Sequence, residues 1–187
     1  MARVLKITGL GIVAVVGVVL AVAATRPDNF RVQRSASIKA SPEKVFPHIN
    51  DLHAFNAWNP FNKKDPNIKG SYSGAASGAG AAYAFEGNSD VGRGRIEITD
   101  SRPASEVRMS LHMLAPMEGR NMVEFLLKPE GSGEAQSTRV SWAIQGPMPY
   151  ISKVLSVFCD MDAMIGREFE SGLAELKAVA ERQEVNR

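Results

Sequence analysis

The sequence predicts an α+β fold: a curved antiparallel sheet covered by a long C-terminal helix, with one apolar helix ahead of it. Three observations predict it. Residues 7–24 form an uncharged run, residues from 66 onward alternate apolar and polar between frequent turn residues, and apolar residues return to helical spacing after 161. We therefore divide the chain into an anchor over 1–25 and a globular module over 26–187.

The run 7–24 has Arg3 and Lys6 before it and Arg26 after it, and such a length approaches what spans a roughly 30 Å hydrocarbon core as a helix. Ala21-Val22-Ala23 also resembles the small-x-small site of a cleaved signal. The run, however, exceeds the roughly 7 to 15 apolar residues of a signal core, so a retained single-pass anchor is the expectation. A positive-inside count, with Arg26, Arg31, Arg34 and Lys39 following the span, would hold the module in the cytoplasm. Large domains cross largely regardless of such charge, and the short basic start suits export, so we expect the module on the outer face of a bacterial inner membrane. Cys159 is the single cysteine, so no intrachain disulfide reports on the compartment.

The chain carries 22 basic and 20 acidic residues, and Arg3 and Lys6 account for the difference, leaving the module formally neutral. Without a basic excess, nucleic acid is excluded as a partner. The module's length suits one domain with a real core, and no internal repeat is visible.

A first strand is expected over 30–38. Ser41 then offers an N-cap and Pro42 a first helical position, and Val45, Phe46 and Ile49 set a helix running to about Asn50. Leu52, Phe55 and Trp58 suggest a second short helix that Pro60 ends. Six strands follow, over 68–73, 81–87, 92–100, 106–114, 121–128 and 138–145, with turn formers between them. Close-set strands with short links argue for an antiparallel meander.

Alternation assigns the faces. Tyr83, Phe85, Ile96, Ile98, Val107, Met109, Leu111, Met113, Val123, Phe125, Leu127, Val140, Trp142 and Ile144 fall on one side, and Arg93, Arg95, Glu97, Arg108, His112, Glu124 and Arg139 on the other. Beyond the corner at Pro147 and Pro149, Met161, Ile165, Phe169, Leu173, Leu176 and Ala180 recur at helical spacing. Gly166 and Gly172 weaken that helix, by up to about 1 kcal/mol each relative to Ala, and are expected to serve close packing. Arg34 falls in phase with Val32 and Ile38, against the apolar pattern; an acid near the helix or a ligand head group would pair with it, and a structural ion pair is the expected role.

This order of elements resembles the START-like or SRPBCC superfamily, the helix-grip fold of polyketide cyclases and lipid-transfer domains, over about residues 30–183. The residues that carry the resemblance are Ile38-Lys39-Ala40-Ser41-Pro42-Glu43-Lys44-Val45-Phe46, Phe55-Asn56-Ala57-Trp58-Asn59-Pro60, Asp65-Pro66, Gly87-Asn88, Val91-Gly92-Arg93-Gly94 and Phe169-Glu170-Ser171-Gly172-Leu173. The likeness looks closest to the bacterial polyketide cyclase/dehydrase and lipid-transport branch. It implies a tapered cavity between helix and sheet. Phe55, Trp58, Tyr83, Phe85, Met109, Leu111, Met113, Phe125, Trp142, Met161, Ile165 and Phe169 would line it. Such a lining favours an apolar guest, at about 25 cal/mol per Å² of apolar surface buried. An ordinary filled core would use the same residues. The mouth would lie near His53, Phe55 and Trp58, beside a small-residue segment, 70–82, free to open and close.

Catalytic signals are thin. His48, His53 and His112 lack a metal-ligand spacing, Gly70-Ser71-Tyr72-Ser73-Gly74 fails the nucleophile elbow, and the pairs Gly78/Gly80 and Gly92/Gly94 lack the third glycine of a dinucleotide fingerprint. No catalytic residue, metal or cofactor is assigned. The leading expectation is a membrane-tethered binder or carrier of a lipid, isoprenoid or polyketide-like molecule. A polyketide cyclase or dehydratase is the second, and an interaction module like the superfamily's chaperone-activator branch the third.

Overall fold

A computed structural model describes the backbone of residues 2–131 and 136–185, and the side chains of 11–131 and 136–182. The first element, α1, is Ala2–Ala24. Its 23 residues rise about 1.5 Å each, giving a rod of about 34 Å. Among the described residues no helix is long and apolar enough to cross a membrane. The expected span begins at residue 7, so the side chains of its first four positions lie outside the described ones.

Strand β1, Asn29–Ile38, leads into α2, Pro42–Val45. The first expected short helix is broken: α3 restarts at Pro47–Asn50. A proline ring removes a donor and fits the first turn of a helix better than its interior, so Pro47 opens a new turn instead of continuing the old one. Ser41 precedes α2 with extended backbone but makes no side-chain cap, so its capping role is corrected. Asp51 caps α4, Leu52–Trp58, by accepting from the His53 and Ala54 amides. Pro60 does not end the helical region; it starts another turn, α5, Pro60–Lys63, with the Asn59 side chain accepting from the Phe61 amide.

Strands β2 (Lys69–Gly74), β3 (Ala81–Glu86), β4 (Arg93–Arg102), β5 (Glu106–Ala115), β6 (Gly119–Glu130) and β7 (Ser137–Pro147) complete the sheet. The expected 129–137 link is shorter because β6 and β7 both extend into it; residues 132–135 lie outside the described ones. All seven strands form one antiparallel sheet in the order β1-β7-β6-β5-β4-β3-β2. Between the corner prolines and the last helix lies a short element the periodicity did not separate, α6, Tyr150–Leu155, with α7 following at Met161–Val185.

The register turns the alternating apolar positions into rows across the concave face. Val32, Ile144, Val123, Met109 and Ile98 stand opposite one another across five strands and are all nearly or fully buried. Helix α7 lies chiefly against β1: Phe169, Leu173, Leu176 and Ala180 are buried and Met164 is exposed, while Glu168, Glu175 and Lys177 reach ion-pair partners. Gly172 allows the close approach. A Cβ there would stand 2.7 Å from Trp142 Cζ3 and 2.9 Å from Pro60 Cδ.

Arg34 pairs with the helix, as its odd phase requires. Its guanidinium donates to Asp162 at 2.7 Å and to Glu170 at 2.8 Å, straddling α7 where Gly166 leaves room for it. The Asp162 hydrogen bond comes first among the causes that push Arg34 well above its ordinary range, and the same contact holds the Asp162 carboxyl below its own.

Candidate functional site

The twelve residues expected to line a cavity divide into two groups. Phe55, Trp58, Tyr83, Met109, Phe125, Trp142 and Phe169 are buried, whereas Phe85, Leu111, Met113, Met161 and Ile165 are partly exposed. The first group packs largely against itself. Trp142 stacks on Phe169 at 4.0 Å and on Phe125 at 5.0 Å, and Trp58 meets Phe55, Phe125 and Trp142 edge-on at 5.0, 6.1 and 5.5 Å. Edge-to-face and offset stacks of this kind add about 0.5–1.5 kcal/mol per pair beyond burial. The space between α4, α7 and the middle of the sheet is filled by these rings. Trp58 also donates its indole N–H to the His48 carbonyl at 2.8 Å, while the Trp142 Nε1 finds no partner among the described residues.

Of the second group, Met161 and Ile165 belong to α7, while Phe85, Leu111 and Met113 belong to two neighbouring rows of the sheet. One row reads Asn121, Leu111, Ile96, Tyr83, Tyr72; the next reads Gly119, Met113, Gly94, Phe85, Gly70. In that last row, large apolar residues alternate with glycine. At Gly94 a Cβ would stand 2.9 Å from Phe85 Cζ and 3.2 Å from Met113 Sδ, so both side chains lean over the bare backbone between them. The Tyr83 ring likewise lies over Gly70.

From this row an aromatic ladder climbs towards α4. Phe85, Tyr83, Tyr72 and His53 follow at centroid separations of 6.1, 4.7 and 3.6 Å. Burial is the main cause that pushes the Tyr83 hydroxyl above its ordinary pKa, and a hydrogen bond with Asn62 opposes it. Asn56 donates to the Tyr72 hydroxyl at 3.0 Å, and its own Oδ1 is buried without a partner among the described residues. The ladder ends in a cleft of about 170 Å³ lined by Leu52, His53, Tyr72, Ser73, Gly74, Ala75, Ala76, Ala81 and Ala82. That is smaller than the roughly 300–1,000 Å³ of most small-molecule sites. Hollows of about 520 and 580 Å³ elsewhere mix Arg31, Arg108, Arg120, Glu124 and Gln145 with Phe30, Met109 and Met122.

The small-residue segment is held more firmly than its composition suggests. Residues 69–74 and 81–86 are paired strands, and the turn between them is tied down by Gly78 N–H to the Asn50 carbonyl and Gly80 N–H to that of Ile98. Its freedom to open is corrected accordingly. Gly74, Gly78 and Gly80 all have positive φ, which accounts for the glycines there. Tyr72, Asn56 and Leu52 were missed as site residues. Tyr72 lies on an exposed edge strand, and only the cross-strand pairing with Tyr83 reveals it.

No group of three or more His, Cys, Asp or Glu side chains able to hold a metal ion occurs among the described residues. His112 lies on the outer face, 3.3 Å from Glu118.

The comparisons with known proteins agree on the fold. A protein from Chromobacterium violaceum matches with a TM-score of 0.56 at 17% identity, covering 83% of this chain and 99% of its own. One from Mesorhizobium loti matches at 0.57 and 15%, covering 82% and 98%. The Aha1 dimer from Colwellia psychrerythraea, solved in solution, matches at 0.55 and 20%, covering 81% and 96%. No curated protein matches the sequence. The profile described as polyketide cyclase / dehydrase and lipid transport matches residues 29–181. The chain belongs to the polyketide cyclase / dehydrase and lipid transport family.

Proposed function

We propose that this protein binds a hydrophobic small molecule, a lipid, isoprenoid or polyketide-like compound, along the open rows of its concave face while α1 tethers it to a membrane. One observation carries the reading: Phe85, Leu111 and Met113 stay partly exposed on the inner face of the sheet, beside glycines that keep the row shallow. An apolar guest laid on that row removes apolar surface from water on both partners, at about 25 cal/mol per Å². The ladder from Phe85 to His53 then offers polar groups at one end, in Asn56, Tyr72 and His53, which suits a molecule with an apolar body and a polar head. The family's description, which includes lipid transport, supports the same class of ligand.

The tethering part rests on the uncharged run 7–24, the helical state of Ala2–Ala24 and its length of about 34 Å. The module belongs on the outer face of a bacterial inner membrane in this reading, and a C-terminal reporter active only outside the cytoplasm tests that placement. An interaction module is the second reading, favoured by the filled aromatic centre around Trp58 and Trp142.

Binding is tested by purifying the full chain in lipid nanodiscs, extracting bound small molecules and measuring affinity for the compound recovered. Met113→Glu places a charge on a partly exposed apolar position and is expected to weaken that affinity by about tenfold or more, a change of about 1.4 kcal/mol. A chain that carries nothing and binds no lipid or isoprenoid would remove the binding reading and leave the interaction module. Turnover of a polyketide-like substrate by the same preparation would replace it with the enzyme.

A further inference from the structure

A second apolar surface lies away from the concave face. On α6 and the turn after it, Ile151, Leu155 and Phe158 recur at i, i+4 and i+7, which puts them on one side of the helical path, and all are exposed, Phe158 by 71%. Helical hydrogen bonds continue past Leu155, whose carbonyl accepts from the Phe158 and Cys159 amides, so the stripe is held in place. Tyr150 begins it and is half exposed. Soluble monomers seldom leave a contiguous patch of large apolar side chains in water.

The opposite side of α6 is fastened down. Lys153 is buried and its ammonium pairs with Asp28, whose carbonyl also accepts from the Met148 amide. The contact that decides the occupant is to α1. The Tyr150 hydroxyl donates to the Leu20 carbonyl at 2.9 Å. Leu20 lies four residues before the end of α1, about 6 Å along its axis. The end of α1, where Leu20 and Val22 are exposed, thus lies against the start of the α6 stripe.

We infer that the Tyr150 to Phe158 stripe is a membrane-docking surface, buried in the interfacial layer of the same bilayer that α1 enters. This rests on the tethering reading above. A tyrosine hydroxyl about 6 Å inside the end of a spanning helix sits at headgroup depth, where tyrosine is enriched, and an apolar stripe beside it immerses by about 5–10 Å, as interfacial helices do. Docking there also fixes the orientation of the module. Helix α7 starts three residues after Phe158, so its partly exposed Met161 is held close to the lipid, and an apolar ligand has a short way into the module.

The single cysteine supplies the probe: Cys159 is exposed and follows Phe158 directly. The full chain, labelled there with an environment-sensitive dye and placed in phosphatidylcholine/phosphatidylglycerol nanodiscs, is expected to lose most of its fluorescence to shallow spin-labelled lipids and little to aqueous iodide. Leu155→Ser with Phe158→Ser should reverse that preference while the buried tryptophans keep their emission, which shows that the fold is intact. Alkaline extraction from vesicles is run in parallel. A chain that resists extraction but whose label answers only to iodide overturns the docking surface and leaves the tether standing. A chain that extracts freely overturns both. A label shielded from iodide and from lipid, and released on dilution, reveals contact with another protein copy and overturns the bilayer as occupant.

Discussion

At Gly172 the usual preference for alanine in a helix is reversed. Replacing glycine by alanine inside a helix ordinarily gains up to about 1 kcal/mol. Here the added methyl meets the Trp142 ring and the Pro60 ring at once, and neither is the end of a flexible side chain. Gly172→Ala is expected to destabilise by about 1–3 kcal/mol, read from the denaturant midpoint, because overpacking at a fixed contact outweighs propensity. Arg34 makes a second argument at this scale. Its hydrogen bond lowers the Asp162 carboxyl below the ordinary value of 3.8, so the unfolded chain holds that proton more tightly. The stabilisation is fully present above that value and is lost as pH falls through the depressed one. Arg34→Gln should therefore reduce stability at neutral pH and flatten its fall as pH drops below the ordinary carboxylate value of 3.8, as followed by thermal melts. The acid partners of Arg34 could not be chosen from sequence, since the helix offers several carboxylates and only the seating of α7 on β1 selects Asp162 and Glu170.

Among the elements, α4 is locked to the sheet by its terminal tryptophan. Trp58 and Trp142 are both buried, but only the first uses its indole N–H, giving it to the His48 carbonyl. Trp58→Phe removes that hydrogen bond, whereas Trp142→Phe removes an N–H without a partner among the described residues. The first substitution should cost more than the second by about 1–2 kcal/mol, with urea unfolding as the measurement. Elements were legible where a local rule applies. Alternation and turn residues placed every strand of the sheet to within a few residues, and helical spacing placed α7. Pro60 misled because a proline that stops one helix also suits the first turn of the next, and Pro47 does the same within the stretch read as one helix. Helix α6 escaped notice because its apolar residues face outward, and periodicity alone does not tell a core stripe from an exposed one. The glycine-spaced row of Gly70, Phe85, Gly94, Met113 and Gly119 was invisible for a different reason: its members come from five strands, and only the register lines them up.

For the whole molecule, the concave face is two surfaces: a centre closed by interlocking rings and an outer margin that stays partly open. Sequence reasoning named residues of both but could not separate them, since burial depends on where α4 and α7 come to rest. The edge pairing of β1 has a further consequence, for synthesis. Residues 29–38 pair only with 137–147, so the first strand to emerge has no neighbour until the last one has been made. Closing so long a stretch of chain is entropically slow, and the waiting strand exposes its hydrogen-bonding edge. A chain ending after Glu130 should not fold, and should be degraded or captured by chaperones, which pulse-labelling with limited proteolysis would reveal. Completion of β7 is thus the event that commits the newborn chain to its native state.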